Sequence, residues 1–232
     1  MSKGLIWDFD GTLGYREGGM FSGSICQVIR QAAPGTSVTE EQVRPYLQTG
    51  FPWHTPERPH PEIRSADQWW ERLYPVFERA LLGLGFDPPQ AASMARQVRP
   101  VYTDLSCWRL FDDAIPALTL LSSQGWRHVI LSNHVPELPE IVRHLGLDPH
   151  IDRLFNSAEM GYEKPHPAAF EVVLAHLSGS VVCMVGDNVR ADVEGARSLG
   201  IPAILVRTDR REVEHYCDDL AQLPGTLERV LG

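Results

Sequence analysis

A chain of 232 residues, 43% apolar and 22% charged, is long enough for one large α/β domain or a domain with a substantial insert, and either form buries a core. Its formal net charge of −9 argues against nucleic acid or an anionic membrane as the main partner, since neither finds a basic footprint here, and points to small soluble molecules. The four cysteines, Cys26, Cys107, Cys183 and Cys217, are scattered with no C-x-x-C pair, so free thiols in a reducing cytosol are expected.

The apolar run at the N-terminus is too short for a secretory signal, and no stretch approaches the ~20 apolar residues of a membrane span, so a cytoplasmic location is expected. LIWDFD (residues 5–10) reads as the first strand. Asp8 and Asp10 lie two apart, so a strand points both to one face, where like charges repel unless a cation or a proton intervenes. Taken alone, DFDGT is equally an ordinary strand-ending Asx-type turn. The next strand pattern begins only at residue 128, whereas a strand-to-helix connection takes a few residues, so residues 14–105 read as an insert.

That insert opens on a glycine-rich, hairpin-like stretch, GYREGGMFSG, followed by helical patterns near 23–33, 39–48, 66–83 and 88–102. Ala91, Met94, Ala95, Val98, Val101 and Tyr102 form a core-facing stripe on the last of these. Pro75 is expected to kink the 66–83 helix or to start a second one. FPWHTPERPHPE, with four prolines, is a loop; its His54 and His60 cannot be aligned on a helix and have no Cys or third His nearby, so no metal site is expected there. From residue 110 onward, strand patterns at 128–132, 153–157, 180–187 and 203–206 alternate with helical patterns at 114–123, 135–145, 168–177 and 192–199. Gly125, Gly146 and Gly200 stand where helices stop. Alternation of this kind predicts a doubly wound parallel sheet with a helical insert after its first strand.

Ligands of open parallel sheets bind outside the carboxyl ends of the strands. Those ends carry Asp8, Asp10 and Thr12; Ser132 and Asn133; and Asp187, with Asp192 five residues on. Lys164-Pro165 follows the third strand. The chain has 19 arginines but only two lysines, Lys3 and Lys164, which singles out Lys164. Four carboxylates in one cleft require added positive charge, and an all-oxygen donor set selects a hard divalent ion such as Mg²⁺. Ser132, Asn133 and Lys164 offer donors of the kind that hold a phosphoryl group. Each residue also has a plain structural reading as a cap, turn or surface charge, but those readings do not gather all of them at successive strand ends.

The segments DFDGT, LSN, KP and GDNVRAD, in that order, resemble the haloacid dehalogenase (HAD) superfamily, in particular its branch with a helical cap after the first strand. The resemblance implies a Rossmann-like α/β core (residues 1–13 and 106–232) with a helical cap domain at 14–105. It further implies that Asp8 is the nucleophile that becomes an aspartyl phosphate and Asp10 the acid/base. Ser132 and Lys164 would hold the phosphoryl oxygens beside Asn133. Mg²⁺ would sit on Asp8, Asp187 and the backbone carbonyl of Asp10, with Asp192 and Thr12 in support. His134 and His166, each beside a motif, read as solvated loop residues outside the site.

Within the family, the presence of Asp10 argues against a dehalogenase, and the lysine-free insert argues against a phosphonate hydrolase, leaving a phosphatase of small phosphorylated metabolites or a phosphomutase. A receiver-type domain or a non-turnover binding protein is the alternative of another class; oligomeric state is left open. Substrate choice falls to the insert. There Trp53, Trp69 and Trp70 are candidates, although Trp69 and Trp70, ~100° apart on a helix, either both pack inside or are divided between core and cleft.

Overall fold

A computed structural model describes residues 2–208 and 213–232. The chain begins with β1 (Ser2–Trp7) and β2 (Gly14–Arg16), then four helices: α1 (Phe21–Ala32), α2 (Glu40–Val43), α3 (Ala66–Gly83) and α4 (Pro88–Tyr102). It returns through β3 (Trp108–Leu110), α5 (Ala114–Ser123), β4 (Trp126–Ser132), α6 (Leu138–His144), β5 (Arg153–Asn156), α7 (Ser157–Met160) and α8 (Pro167–His176). The last part holds β6 (Ser180–Gly186), a π-helical turn (Val189–Glu194), α9 (Gly195–Arg197), β7 (Ala203–Val206), β8 (Tyr216–Cys217) and α10 (Leu223–Leu231).

Six strands form a parallel sheet in the order β5-β4-β1-β6-β7-β8. Its central strand, β1, is fully buried from Leu5 to Trp7, as a parallel strand covered on both faces must be. Period-two alternation divides the core into two layers. Leu5, Trp7, Ile130, Cys183 and Val185 pack on the side of α5, α6 and α10, while Ile6, Val129, Leu131 and Met184 pack with Ala169, Phe170 and Val173 of α8. Strand order reverses at β1, with β4 on one side and β6 on the other, so the crevice of this fold opens at the carboxyl ends of these three strands.

The glycine-rich stretch after β1 is not a local hairpin. Gly14–Arg16 pairs antiparallel with Trp108–Leu110, so the two ends of the helical insert are joined as one ribbon. Between them, α3 and α4 pack around Trp69, Trp70, Phe77 and Tyr102, and Phe21 stacks on Tyr102 with ring centres 4.1 Å apart. Trp69 and Trp70 are both buried, so neither faces the cleft. Helix α3 is continuous through Pro75. The expected helix over 135–145 starts later, at Leu138, with Pro139 in its first turn, where the missing N–H costs no helix bond. The pattern at 39–48 divides into α2 and a 3-10 turn over Arg44–Leu47. The four cysteines are free thiols, and no helix among the described residues is long and apolar enough to cross a membrane.

One buried histidine gives the fold a pH dependence. Trp7 Nε1 donates to His128 Nδ1 at 3.0 Å, and His128 Nε2 lies 3.1 Å from the Ser122 hydroxyl. Burial pushes the imidazole down from 6.5 to about 4. Protonation at Nδ1 would also oppose the Trp7 N–H. The neutral ring therefore contributes stability that is complete above pH 6.5 and is lost as pH falls toward 4. Asparagine keeps an acceptor near the Nδ1 position, so between pH 7 and 4.5 the native chain should lose about 2–3 kcal/mol more unfolding free energy than His128→Asn. Urea melts that stay parallel across this range would refute it.

Candidate active site

Asp8 follows directly on β1 and is 8% exposed. Its Oδ1 accepts from its neighbour's backbone, Phe9 N, at 2.7 Å and from the Ser132 hydroxyl at 2.7 Å, and lies 2.9 Å from Lys164 Nζ. Among the described residues no hydrogen bond holds Oδ2, so one carboxylate oxygen is anchored by three donors and the other is left for chemistry. Lys164 Nζ also donates to Asp192 Oδ1 at 2.6 Å. Burial works against the ammonium charge, but Asp192 and Asp8 outweigh it and hold the Lys164 pKa above its ordinary value.

Asn133 uses both ends of its amide on the Lys164 backbone, donating to the carbonyl at 2.8 Å and accepting from the N–H at 2.7 Å. It thus holds the loop that carries Lys164. Asp192 lies inside the π-helical turn rather than at the start of a regular helix. The wide turn, capped by Asn188 accepting from Ala191 N at 3.0 Å, brings Asp192 Oδ2 back to the Asn188 N–H at 3.0 Å. Asp187 approaches the DFDGT turn so closely that a side chain at position 11 would strike its carboxylate. Gly11 meets this with no Cβ and a φ of +75°. Thr12 is fully buried, and its hydroxyl has no hydrogen-bond partner among the described residues.

Crowding of carboxylates sets the electrostatics. Burial, then Asp8 and Asp192, push Asp187 up to about 7. Burial and Asp8 push Asp192 up to about 6 despite the opposing Lys164. Asp10 is raised well above its ordinary value by burial, then by Asp8 and Asp187. Oxygens of Asp8, Asp187 and Asp192 lie within 4.8 Å of one another. An all-oxygen set whose negative charge exceeds that of one lysine has the chemistry of a hard divalent cation site.

By sequence His134 reads only as a solvated loop residue, whereas the structure buries it beside Asp10 at the cavity. The ring is buried against Phe9, Trp108 and Tyr102, and its Nε2 is 3.5 Å from Asp10 Oδ2. Nδ1 faces the Val135 carbonyl at 3.3 Å, so the proton belongs on Nδ1 and the Nε2 lone pair faces Asp10. Burial lowers His134 to about 4, which keeps it neutral beside a carboxyl that tends to hold its proton. His166 instead caps α8, accepting from Ala168 N at 3.1 Å.

A cavity of about 640 Å³ stands over these residues. Asp8, Asp10, Lys164 and Asp187 line its floor; Phe21, Phe51, Trp53 and His54 line it from the insert, with Arg44 and Arg190 among the remaining lining residues. Of the three candidate tryptophans, Trp53 is the one that lines the cavity.

A doubly wound parallel sheet with aspartates, a serine and a lysine gathered at its switch point is the architecture of an α/β enzyme. The haloacid dehalogenase-like hydrolase family model matches residues 2–200, and the chain belongs to that family of hydrolases. It is 32% identical to haloacid dehalogenase-like hydrolase domain-containing protein 3 of Homo sapiens over 179 residues, 72% of this chain and 70% of that one. The phosphoserine phosphatase of Thermus thermophilus is 31% identical over 134 residues, 56% of this chain and 53% of that one. Among solved structures, a HAD-hydrolase of Bacillus subtilis bound to magnesium superposes with a TM-score of 0.72 at 20% identity, covering 98% of this chain and 99% of that one.

Proposed function

We propose that this hydrolase is a Mg²⁺-dependent phosphatase of small phosphorylated metabolites, working through an aspartyl phosphate on Asp8. The observation that carries the reading is the asymmetry of the Asp8 carboxylate, with Oδ1 anchored by Phe9 N, Ser132 and Lys164 and Oδ2 unengaged among the described residues. In the first step Oδ2 attacks phosphorus, the bond to the leaving oxygen breaks, and Asp10 delivers a proton to that oxygen. The raised pKa of Asp10 suits it to hold that proton. In the second step Asp10 takes a proton from water, the water oxygen attacks phosphorus, and the bond to Asp8 breaks, releasing phosphate.

Ser132 and Lys164 orient the nucleophile and stand beside the incoming phosphoryl oxygens, and Asn133 fixes the Lys164 backbone. Asp8, Asp187 and the Asp10 backbone carbonyl would hold Mg²⁺, with Asp192 and Thr12 steadying them. Bound there, the ion supplies positive charge against the carboxylates and the phosphoryl oxygens. Residues 14–105 act as a cap domain over a core of 1–13 and 106–232, and Phe21, Phe51 and Trp53 meet the leaving group. Phosphoserine and sugar phosphatases among the relatives support a phosphate ester as the substrate.

The test is phosphate release across a panel of phosphorylated metabolites, repeated with Trp53→Ala to read the cap's part in ranking them. A chelator should abolish turnover and Mg²⁺ restore it, and Asp187→Ala should need roughly tenfold more Mg²⁺. Undiminished turnover in excess chelator would remove the metal from the reading.

A further inference from the structure

The proline-rich stretch 51–62 touches two places at once. At its start, Phe51, Trp53 and His54 line the cavity. At its end, His60 contacts the loop that leads into Lys164: its backbone N–H donates to the Gly161 carbonyl at 2.8 Å, and its ring Nε2 lies 3.0 Å from Glu163 Oε1. Both side chains are 1% exposed although they come from opposite sides of the insert boundary. The approach is close. A Cβ on Gly161, whose φ is +77°, would stand 2.7 Å from the Cα of Pro61. A buried polar pair adds little net stability, because desolvation offsets the attraction; what it fixes is the register of the two surfaces. Glu163 precedes Lys164 directly, so this contact and the Asn133 clamp grip the same short segment from two sides.

We infer that His60 and Glu163 are positioning residues: their contact ties the cavity-lining stretch 51–62 to the Lys164 loop, so that contact at the roof and placement of the ammonium at Asp8 are coupled. The prolines at 52, 56, 59 and 61 make the stretch a stiff connector. The inference rests on the phosphatase reading for its kinetic consequence, and the structural consequence is measurable without it.

His60→Asn and His60→Gln separate a positioning role from mere packing, because both are polar and near in size. Glutamine extends an amide to the position of Nε2 and reaches Glu163; asparagine stops near Nδ1 and does not. His60→Asn is expected to lower kcat about tenfold with KM changed less than twofold, as a small misplacement of a charge-stabilising group does. Amide exchange over residues 157–164 should speed up about tenfold more than exchange in the central sheet, because the loss of stability from leaving Glu163 buried without its partner is shared by the whole fold and the loosening of this loop is local. His60→Gln should restore both, and Glu163→Ala, approached from the other side, should reproduce the loss should His60→Asn not fold. Wild-type kcat and exchange in His60→Asn and Glu163→Ala, or a glutamine variant as impaired as the asparagine one, would overturn the inference. If no phosphate ester is turned over by the native chain, the phosphatase reading fails, and the exchange measurement alone decides the contact.

Discussion

Asp8→Asn is expected to lower phosphate release by on the order of 10⁴-fold while the protein stays folded. Asparagine retains an oxygen able to accept from Phe9 N, Ser132 and Lys164, the three donors that hold Oδ1. The atom it changes is the one that matters, since an amide nitrogen at Oδ2 has its lone pair delocalised into the carbonyl and does not attack phosphorus. One negative charge also leaves a crowded site, which relieves Asp10 and Asp187, both raised in part by Asp8. The variant should therefore unfold no earlier than the native chain, and incubation with substrate should leave no acid-stable, base-labile phosphate on the protein. Release at more than about a thousandth of the native rate would show that Asp8 is not the nucleophile.

Most of this site was legible in the sequence because it lies at strand ends, and strands of a buried parallel sheet announce themselves as short apolar runs. Ser132 and Asp187 stand where such runs stop, and the scarcity of lysine drew attention to Lys164, which is buried between two aspartates. What was not legible depends on pairing across long separations. Gly14–Arg16 finds its partner at Trp108–Leu110, and three residues carry too little pattern to predict that. His134 looks like any loop histidine until Phe9, Tyr102 and Trp108 close around it. Nothing in the sequence pairs the loop residue His60 with Glu163, 103 positions away, and only the fold buries them together. Strand β8, two residues long, likewise exists only as a partner for β7. Asp192 was identified by spacing, but the π-helical turn that aims it at Lys164 has no periodic signature of its own.

Lys164 carries the other large expected effect, and it acts on stability as well as rate. Its ammonium is the one cation in contact with Asp8 and Asp192 among the described residues, at 2.9 and 2.6 Å, and it is 1% exposed. Removing one member of a buried charge cluster leaves the others uncompensated, so Lys164→Ala should lose about 3 kcal/mol of stability in metal-free solution at pH 7.5. That deficit should shrink as pH is lowered to 5. Asp192, already raised to about 6 with the lysine present, moves higher without it, and a carboxyl with a raised folded pKa binds its proton in the folded state first. Phosphate release should fall on the order of 10²-fold through loss of a preorganised charge. Lys164→Arg keeps the charge but puts a planar fork where a compact ammonium fits between two carboxylates and under the Asn133 clamp, so it should recover part of the stability and little of the rate. Native rates and a native pH–stability curve in both variants would reduce Lys164 to a bystander and leave the four carboxylates to be balanced by the proposed Mg²⁺ or by protons alone.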